Sequence, residues 1–362
     1  MSVGDRNCGM DATLPERTQL EAWAKGHGLE FFGIVELGRE EAFSRYEAWL
    51  EDEYHAGMEY MKRNRDKREN PDRLLPGGRS ALIFGQPYNI GDTWSPERPA
   101  EGRVAMYARF PDYHRQLKRR LEFIISELKA VSPDLRFRPA VDTLPLLERA
   151  LAARTEFGFI GKNTLYIHPQ KGSLFLLGEI LTDGEWEPDE KEPVVTTRRS
   201  KRTGGCGSCR KCQVACPTGA LDEAYRLDAR KCLSYWTIEH RGLIPEEFWS
   251  GVGQYMFGCD ICQLVCPYNE EIPRVPPELV RLKDELDLFE VATMDHEAYV
   301  RLFVGTPMTR AKREGLQRNA LIAMFALGDG RLGEAISLLA TSRNAVIRGT
   351  LQQIRDQRKT PV

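Results

Sequence analysis

Cys206-Gly-Ser-Cys209-Arg-Lys-Cys212-Gln-Val-Ala-Cys216-Pro217 is the stretch whose spacing decides how this chain is built. A second run, Cys259-Asp-Ile-Cys262-Gln-Leu-Val-Cys266-Pro267, follows it, and Cys232 stands between the two. Three thiolates two residues apart can wrap one cube of iron and sulfide. A fourth, three residues on and followed by proline, turns away to ligate a second cube. In that two-cluster pattern Cys206, Cys209 and Cys212 take their fourth ligand from Cys266. Cys216 then joins Cys259 and Cys262, and Cys232 fills the one place left. Eight of the nine cysteines are used, as two four-iron clusters require.

Disulfide frameworks belong to short secreted scaffolds. Structural zinc uses paired C-x-x-C units without the third and fourth cysteines and the proline. A chain of 362 residues is instead long enough for two or three domains with ample core. Hydrophobic content of 41% beside 29% charged residues is that of a globular protein. No apolar run approaches the ~18 residues of a membrane span. The N-terminus carries Asp5 and Asp11 and no apolar signal-peptide core, so a reducing cytoplasm is expected.

The net charge of −2 conceals an asymmetry. Residues 301–362 hold eleven Lys and Arg against four Asp and Glu, which leaves the rest of the chain acidic. Arg198, Arg199, Lys201 and Arg202 add a basic cluster just before the cysteines. A basic tail on an acidic body suits a polyanionic partner, and suits a solvated helical face equally well.

Residues 1–17 read as a loose extension with one free thiol, Cys8. Apolar spacing predicts helices over 20–26, 40–62, 112–131 and 144–157. Compact apolar runs at 31–37, 80–84, 103–108, 136–141 and 172–182 read as strands. The segment from Lys62 to Arg73 reads as a polar, basic loop. Strands alternating with helices predict an α/β cofactor domain over 1–192. Residues 193–275 are expected to form a ferredoxin-like domain and 276–362 a helical one. Helices over 313–327, 332–340 and 345–355 resemble a short HEAT-type antiparallel pair.

Two stretches of the α/β half carry chemistry. In Val141-Asp142-Thr-Leu-Pro145-Leu-Leu-Glu148-Arg149, Asp142 stands where a strand ends and a helix begins. That is a place for a reactive acid and equally for a helix N-cap. Phe157-Gly158-Phe-Ile-Gly161-Lys162-Asn163-Thr164 carries glycines like a phosphate loop. It fails that test, with Glu156 where the first glycine belongs and Asn163 where Ser or Thr should follow the lysine. It remains a loop whose backbone donors can approach something large and polar.

Val141-Asp-Thr-x-x-Leu-x-Glu-Arg, Gly161-Lys-Asn-Thr, both cysteine runs, Gln317-Arg-Asn-Ala320 and Val346-Ile-Arg-Gly349 together resemble the epoxyqueuosine reductases, over about Leu20 to Arg355. Members of that family are cobalamin-dependent iron–sulfur enzymes related to reductive dehalogenases. They convert epoxyqueuosine at the tRNA wobble position to queuosine, the last step of that pathway. The resemblance implies cobalamin beside two 4Fe-4S clusters, a tRNA anticodon stem-loop as partner, an external electron donor, and a monomeric cytoplasmic protein. It implies that Asp142 protonates the departing oxygen, with burial beside an apolar ring holding the carboxyl neutral. For the corrin it points to Arg68, Ala105, Asp142, Lys162, Asn163, Thr164, Tyr166, Ser173, Ser234 and Asp260. The D-x-H-x-x-G motif of many cobalamin proteins is absent, as in that family. Arg313, Arg318 and Arg348 are expected to meet tRNA phosphates. A dehalogenase-like enzyme for small molecules would not need the basic helical tail, and a bare electron carrier would not need the α/β half.

Overall fold

The computed structural model describes residues 14–92, 102–156, 158–189, 205–282 and 286–359. Cys8, Phe157 and the basic cluster at 198–202 lie outside them. Helix α1 (Arg17–Gly26) leads into strand β1 (Glu30–Glu36), then α2 (Phe43–Glu51) and α3 (Arg65–Glu69). Strand β2 (Ser80–Pro87) and the two-residue β3 (Arg103–Val104) precede the long α4 (Tyr113–Val131). Next come β4 (Phe137–Ala140), α5 (Glu148–Arg154), the small hairpin β5 (Phe159–Ile160) and β6 (Tyr166–Ile167), and β7 (Phe175–Thr182).

The main sheet has the order β1-β2-β7-β4, and every neighbouring pair is antiparallel. Alternating strands and helices suggest parallel strands, and the unbroken apolar run Ser80–Phe84 has the look of one. The run has another cause: both faces of the sheet are covered. On one side Leu20, Leu117, Leu121 and Ile124 of α1 and α4 pack on Leu82, Phe84 and Ile180. On the other, Leu151 and Ala152 of α5 pack on Ile83, Ala140 and Leu181. Helix α4 begins as expected, Asp112 accepting the backbone N–H of His114 as its cap. Gly178 lets it lie close, since a Cβ there would meet Leu117 and Leu121 at 3.1 Å. Leu121→Ala in this layer would cost roughly 2–5 kcal/mol.

Several expected elements are shorter than their patterns. The helix over 40–62 stops at Glu51, after which Glu53 and Ala56 take positive φ, which ordinary side chains adopt reluctantly. The loop at 62–73 contains α3 and a 3-10 turn, Pro71–Leu74. The strand over 103–108 gives way after Val104 to a 3-10 turn, Met106–Arg109. The helix expected from Leu144 starts at Glu148 with Leu147 at its N-cap position, so Asp142 caps nothing.

Beyond the sheet lie α6 (Lys211–Ala215), a π-turn (Tyr235–Glu239), α7 (Trp249–Gln254), β8 (Tyr255–Phe257) and α8 (Ile261–Leu264). Strand β8 pairs in parallel with β3 and ties the cysteine segment to the α/β part. The last elements are α9 (Leu288–Thr293), α10 (His296–Phe303), α11 (Lys312–Leu327), α12 (Leu332–Leu339) and α13 (Ala345–Lys359). They share a core with the cysteine segment: Leu233, Trp249 and Phe257 join Leu316, Leu321, Ile347 and Leu351. Helix α11 is buried on every side from Gly315 to Met324 and is the axis of this part.

Arg318 departs from expectation. It is 1% exposed, and its guanidinium donates to the carbonyls of Trp236, His240 and Gly242 at 2.9, 2.9 and 2.6 Å. Asn319 beside it donates to the carbonyls of Thr237 and Met256, both at 2.8 Å. Arg318 therefore contacts no phosphate; it closes open backbone acceptors around the π-turn. No helix among the described residues is long and apolar enough to cross a membrane.

Candidate active site

The eight cysteines from Cys206 to Cys266 are free thiols, and the fold gathers them in two groups. Cys206, Cys209, Cys212 and Cys266 line one cavity together with Lys162, Ile167 and Tyr268. Cys259 and Cys262 face Cys232 and Cys216, which both add to the rise of their thiol pKa. Burial is the larger cause in both groups, and it lifts Cys259 and Cys262 well above the usual thiol range. Thiolates so placed need a cationic centre to hold them, which an iron–sulfur cluster provides. The Gly161–Thr164 loop clamps both groups. Lys162 donates its backbone N–H to Cys206 Sγ at 3.3 Å, and its Nζ to the carbonyls of Gly207 and Cys209 at 2.8 and 2.9 Å. Asn163 Nδ2 donates to the carbonyl of Cys262 at 3.2 Å.

Asp142 lies just past β4, its side chain 39% exposed. The Tyr113 hydroxyl donates to Oδ2, and His114 Nε2 lies 3.1 Å from Oδ1. His114 Nδ1 is 2.7 Å from Asp112. The imidazole thus bridges two carboxylates. Its pKa is pushed up to about 9, first by the hydrogen bond with Asp142, so it is cationic at neutral pH and both ring nitrogens donate. Burial, then Asp142, raises the Tyr113 phenol, which stays a donor.

Aromatic rings extend from this acid to the second cysteine group. Tyr113 packs edge-on against Tyr107 at 6.0 Å, and Tyr107 against Tyr88 at 6.5 Å. Asp260, Glu239 and Asp142 all act on the Tyr107 phenol, so it lies between Asp142 and the Cys259–Cys262 loop. Asp260 is buried and accepts the Met106 N–H at 2.7 Å. Tyr60, 40% exposed, stands near Asp142 and Glu239 with the Arg310 guanidinium 5.3 Å above its ring. Arg310 in turn grips Glu239 bidentately at 2.9 and 3.0 Å. The result is a line of aromatic rings with an acid at one end and the second cysteine group at the other.

Residues 205–269 match the family model described as a 4Fe-4S double cluster binding domain, and residues 68–143 that described as epoxyqueuosine reductase QueG, DUF1730. Over 313 residues the chain is 35% identical to the epoxyqueuosine reductase of Pseudomonas aeruginosa, covering 84% of each protein. The chain belongs to the epoxyqueuosine reductase family. The structure of epoxyqueuosine reductase from Streptococcus thermophilus superposes with a TM-score of 0.83 at 26% identity, covering 96% of this chain and 91% of that one. An epoxyqueuosine reductase solved with a tRNA-Tyr epoxyqueuosine-modified stem loop gives 0.81 at 28% identity, covering 93% and 88%.

Within this epoxyqueuosine reductase fold the residues singled out for the corrin are scattered. Ala105, Ser234 and Asp260 adjoin the second cysteine group. The Ala105 N–H donates to Phe257 at 2.8 Å, and the Ser234 backbone N–H to Cys232. Gly258 permits this approach, because a Cβ there would stand 2.5 Å from that of Ala105. Lys162 and Asn163 hold cysteine loops instead of flanking the aromatic rings. Thr164 takes a positive φ of 65°, with Arg149 donating to its carbonyl at 2.7 Å. Tyr166 is packed among Phe32, Phe175 and Gly158. Ser173 is tied to Asn269 and Gln263. Arg68 lies over Tyr46 and donates to the Arg63 carbonyl. Asp142 is held by the His114 ring and the Tyr113 phenol. Sequence reading missed Tyr60, Tyr107, Tyr113, His114, Glu239 and Arg310. Only Tyr113-His114 carried a signal, by following the Asp112 cap that places them on the first turn of α4.

Proposed function

We propose that this chain reduces epoxyqueuosine to queuosine at the wobble position of tRNA, using cobalamin and two 4Fe-4S clusters. The observation that carries the reading is the Asp112–His114–Asp142 array, joined through Tyr107 to the second cysteine group. Cys206, Cys209, Cys212 and Cys266 would hold one cluster, and Cys216, Cys232, Cys259 and Cys262 the other. Electrons enter at the first, since α6, which carries Cys212, presents Val214 to solvent at 81% exposure. They leave from the second, which borders the aromatic rings.

Tyr60, Tyr107 and Tyr113 would offer aromatic surface to a large flat ring, with Ala105, Ser234 and Asp260 on the cluster side. Cobalamin, when bound, supplies a centre that gathers single electrons into the pair the reaction needs. The chain's own part is proton delivery. Losing the epoxide oxygen as water takes two electrons and two protons, and Asp142 is the acid beside these rings. His114, kept cationic, stabilises the carboxylate left behind, and Tyr113 fixes its orientation.

The wobble base lies in a single-stranded loop and can be splayed out toward such a surface. Residues 276–362 would form a HEAT-like helical domain, whose exposed Lys312, Arg343 and Arg348 are suited to stem phosphates. The test is anaerobic turnover of epoxyqueuosine-bearing tRNA by the reconstituted protein with and without added corrinoid. Turnover only with corrinoid supports the reading, and corrinoid-independent turnover refutes it.

A further inference from the structure

Two carboxyls near Asp142 have no part in the chemistry above. Glu179 sits mid-strand in β7, opposite Ile83 of β2 and Ala140 of β4. Paired residues share a face of a sheet, so it points with Leu177 and Leu181 into the apolar layer beneath α5. It is fully buried, and neither oxygen has a hydrogen-bond partner. Glu148, the first residue of α5, adds an unpartnered Oε1 to the same region. A carboxylate in such a place is strongly disfavoured, and even a neutral carboxyl left unpaired opposes folding, so packing accounts for neither. The register sets the pair beside the acid. Ala140, opposite Glu179, lies two residues before Asp142, and Asp142 acts electrostatically on both glutamates.

We propose that Glu148 and Glu179 form a buried carboxyl pair that stores the second proton of each turnover and passes it to Asp142. This rests on the reading of Asp142 as the acid. In the reaction two carbon–oxygen bonds break, a carbon–carbon double bond forms, and the oxygen leaves as water. A low-potential one-electron carrier supplies both electrons through the clusters. Asp142, which takes a proton from solvent as the substrate is seated, gives the first proton. With tRNA seated and water excluded, its carboxylate takes the second from Glu148, by side-chain rotation or across one water. Glu179 stays neutral, so that only one carboxyl of the two is charged at a time. After product leaves, solvent refills the pair through Asp142, whose side chain is 39% exposed.

The surroundings agree. Burial first, then Asp142, pushes Glu148 up to about 8, with Arg149 and His114 opposing. Burial, then Glu148 and Asp142, holds Glu179 well above the usual carboxylate range. Both shifts favour the protonated, neutral carboxyl at neutral pH.

The test uses the full reconstituted protein as Glu148→Gln, Glu179→Gln, Glu148→Asp and Asp142→Asn. Glu148→Gln should lower kcat ~10²-fold, at the low end of proton-transfer effects, with KM unchanged. It should also erase the alkaline limb of the kcat profile near pH 8, and Glu148→Asp should recover part of the loss. In infrared spectra at neutral pH, each Gln variant should lack one carbonyl band of a protonated carboxyl. Unmoved kcat and pH profile in both Gln variants, with Asp142→Asn inactive, overturns the pair and leaves the acid reading standing. Wild-type spectra without a protonated-carboxyl band overturn it too. Turnover retained by Asp142→Asn overturns the acid reading beneath it.

Discussion

The two cysteine groups share a ligand spacing and differ in everything around it. At the first, a short helix shows an apolar residue to solvent, and the Lys162 ammonium rests on the carbonyls of Gly207 and Cys209. At the second, Tyr88, Tyr107 and Tyr255 close over the loop, and the charge nearby is the buried carboxylate of Asp260. A cation favours the reduced form of a cluster and an anion opposes it. The motif names the ligands, whereas the surroundings set the potential. An entry site and an exit site can therefore be made from one spacing.

The sharpest way to break this comparison is Cys232→Ala. It should remove the second cluster alone, halving bound iron and sulfide and ending turnover. Full iron retention would show that the groups are not divided as drawn. Asp142→Asn should cut turnover by ~10²–10⁴-fold, the usual range for a lost general acid, with both cluster spectra intact. A changed spectrum would mean that the acid also supports the second group. Arg318→Ala should destabilise by roughly 3 kcal/mol, because three buried carbonyls lose a charged donor. Denaturant unfolding would measure it, and the second cluster should become labile before the first. Lys162→Met should lower the midpoint potential of the first cluster and leave the second unmoved. The expected loss is roughly 2–4 kcal/mol of charge interaction over ~4–8 Å at an effective dielectric of ~20. Least of all, reversing Lys312, Arg343 and Arg348 to Glu should flatten the salt dependence of tRNA binding, by roughly 0.7–0.9 for each phosphate no longer neutralised. Redox behaviour should not change.

The cysteine spacing was legible because ligand geometry is local: two and three residues between thiols dictate what they can wrap. Helix α4 was legible through its apolar stripe. The strand directions were not, since an apolar run reports burial on two faces and says nothing of polarity. Asp142 was found, although its stabilisers were not. Tyr113 and His114 meet it only because α4 crosses the end of β4, and no pattern within either segment encodes that crossing. Glu179 was invisible for a related reason. A lone glutamate within the apolar run Phe175–Thr182 marks an exposed edge as readily as a buried acid, and only the register with Ile83 and Ala140 decides. Arg318 misled because a basic residue in a basic tail invites a polyanion, whereas its helix is enclosed on every side.

The side chains of Arg318 and Asn319 bear on how this protein could be divided. Together they close five main-chain carbonyls of the cysteine segment: Trp236, Thr237, His240, Gly242 and Met256. Protease nicking ahead of α11 would not release a tidy catalytic fragment, and grafting a foreign RNA-binding module in place of the tail would leave those acceptors bare. The tail is a keystone laid from outside. Its outer residues are free to change, while its inner face must stay with the iron–sulfur half it completes.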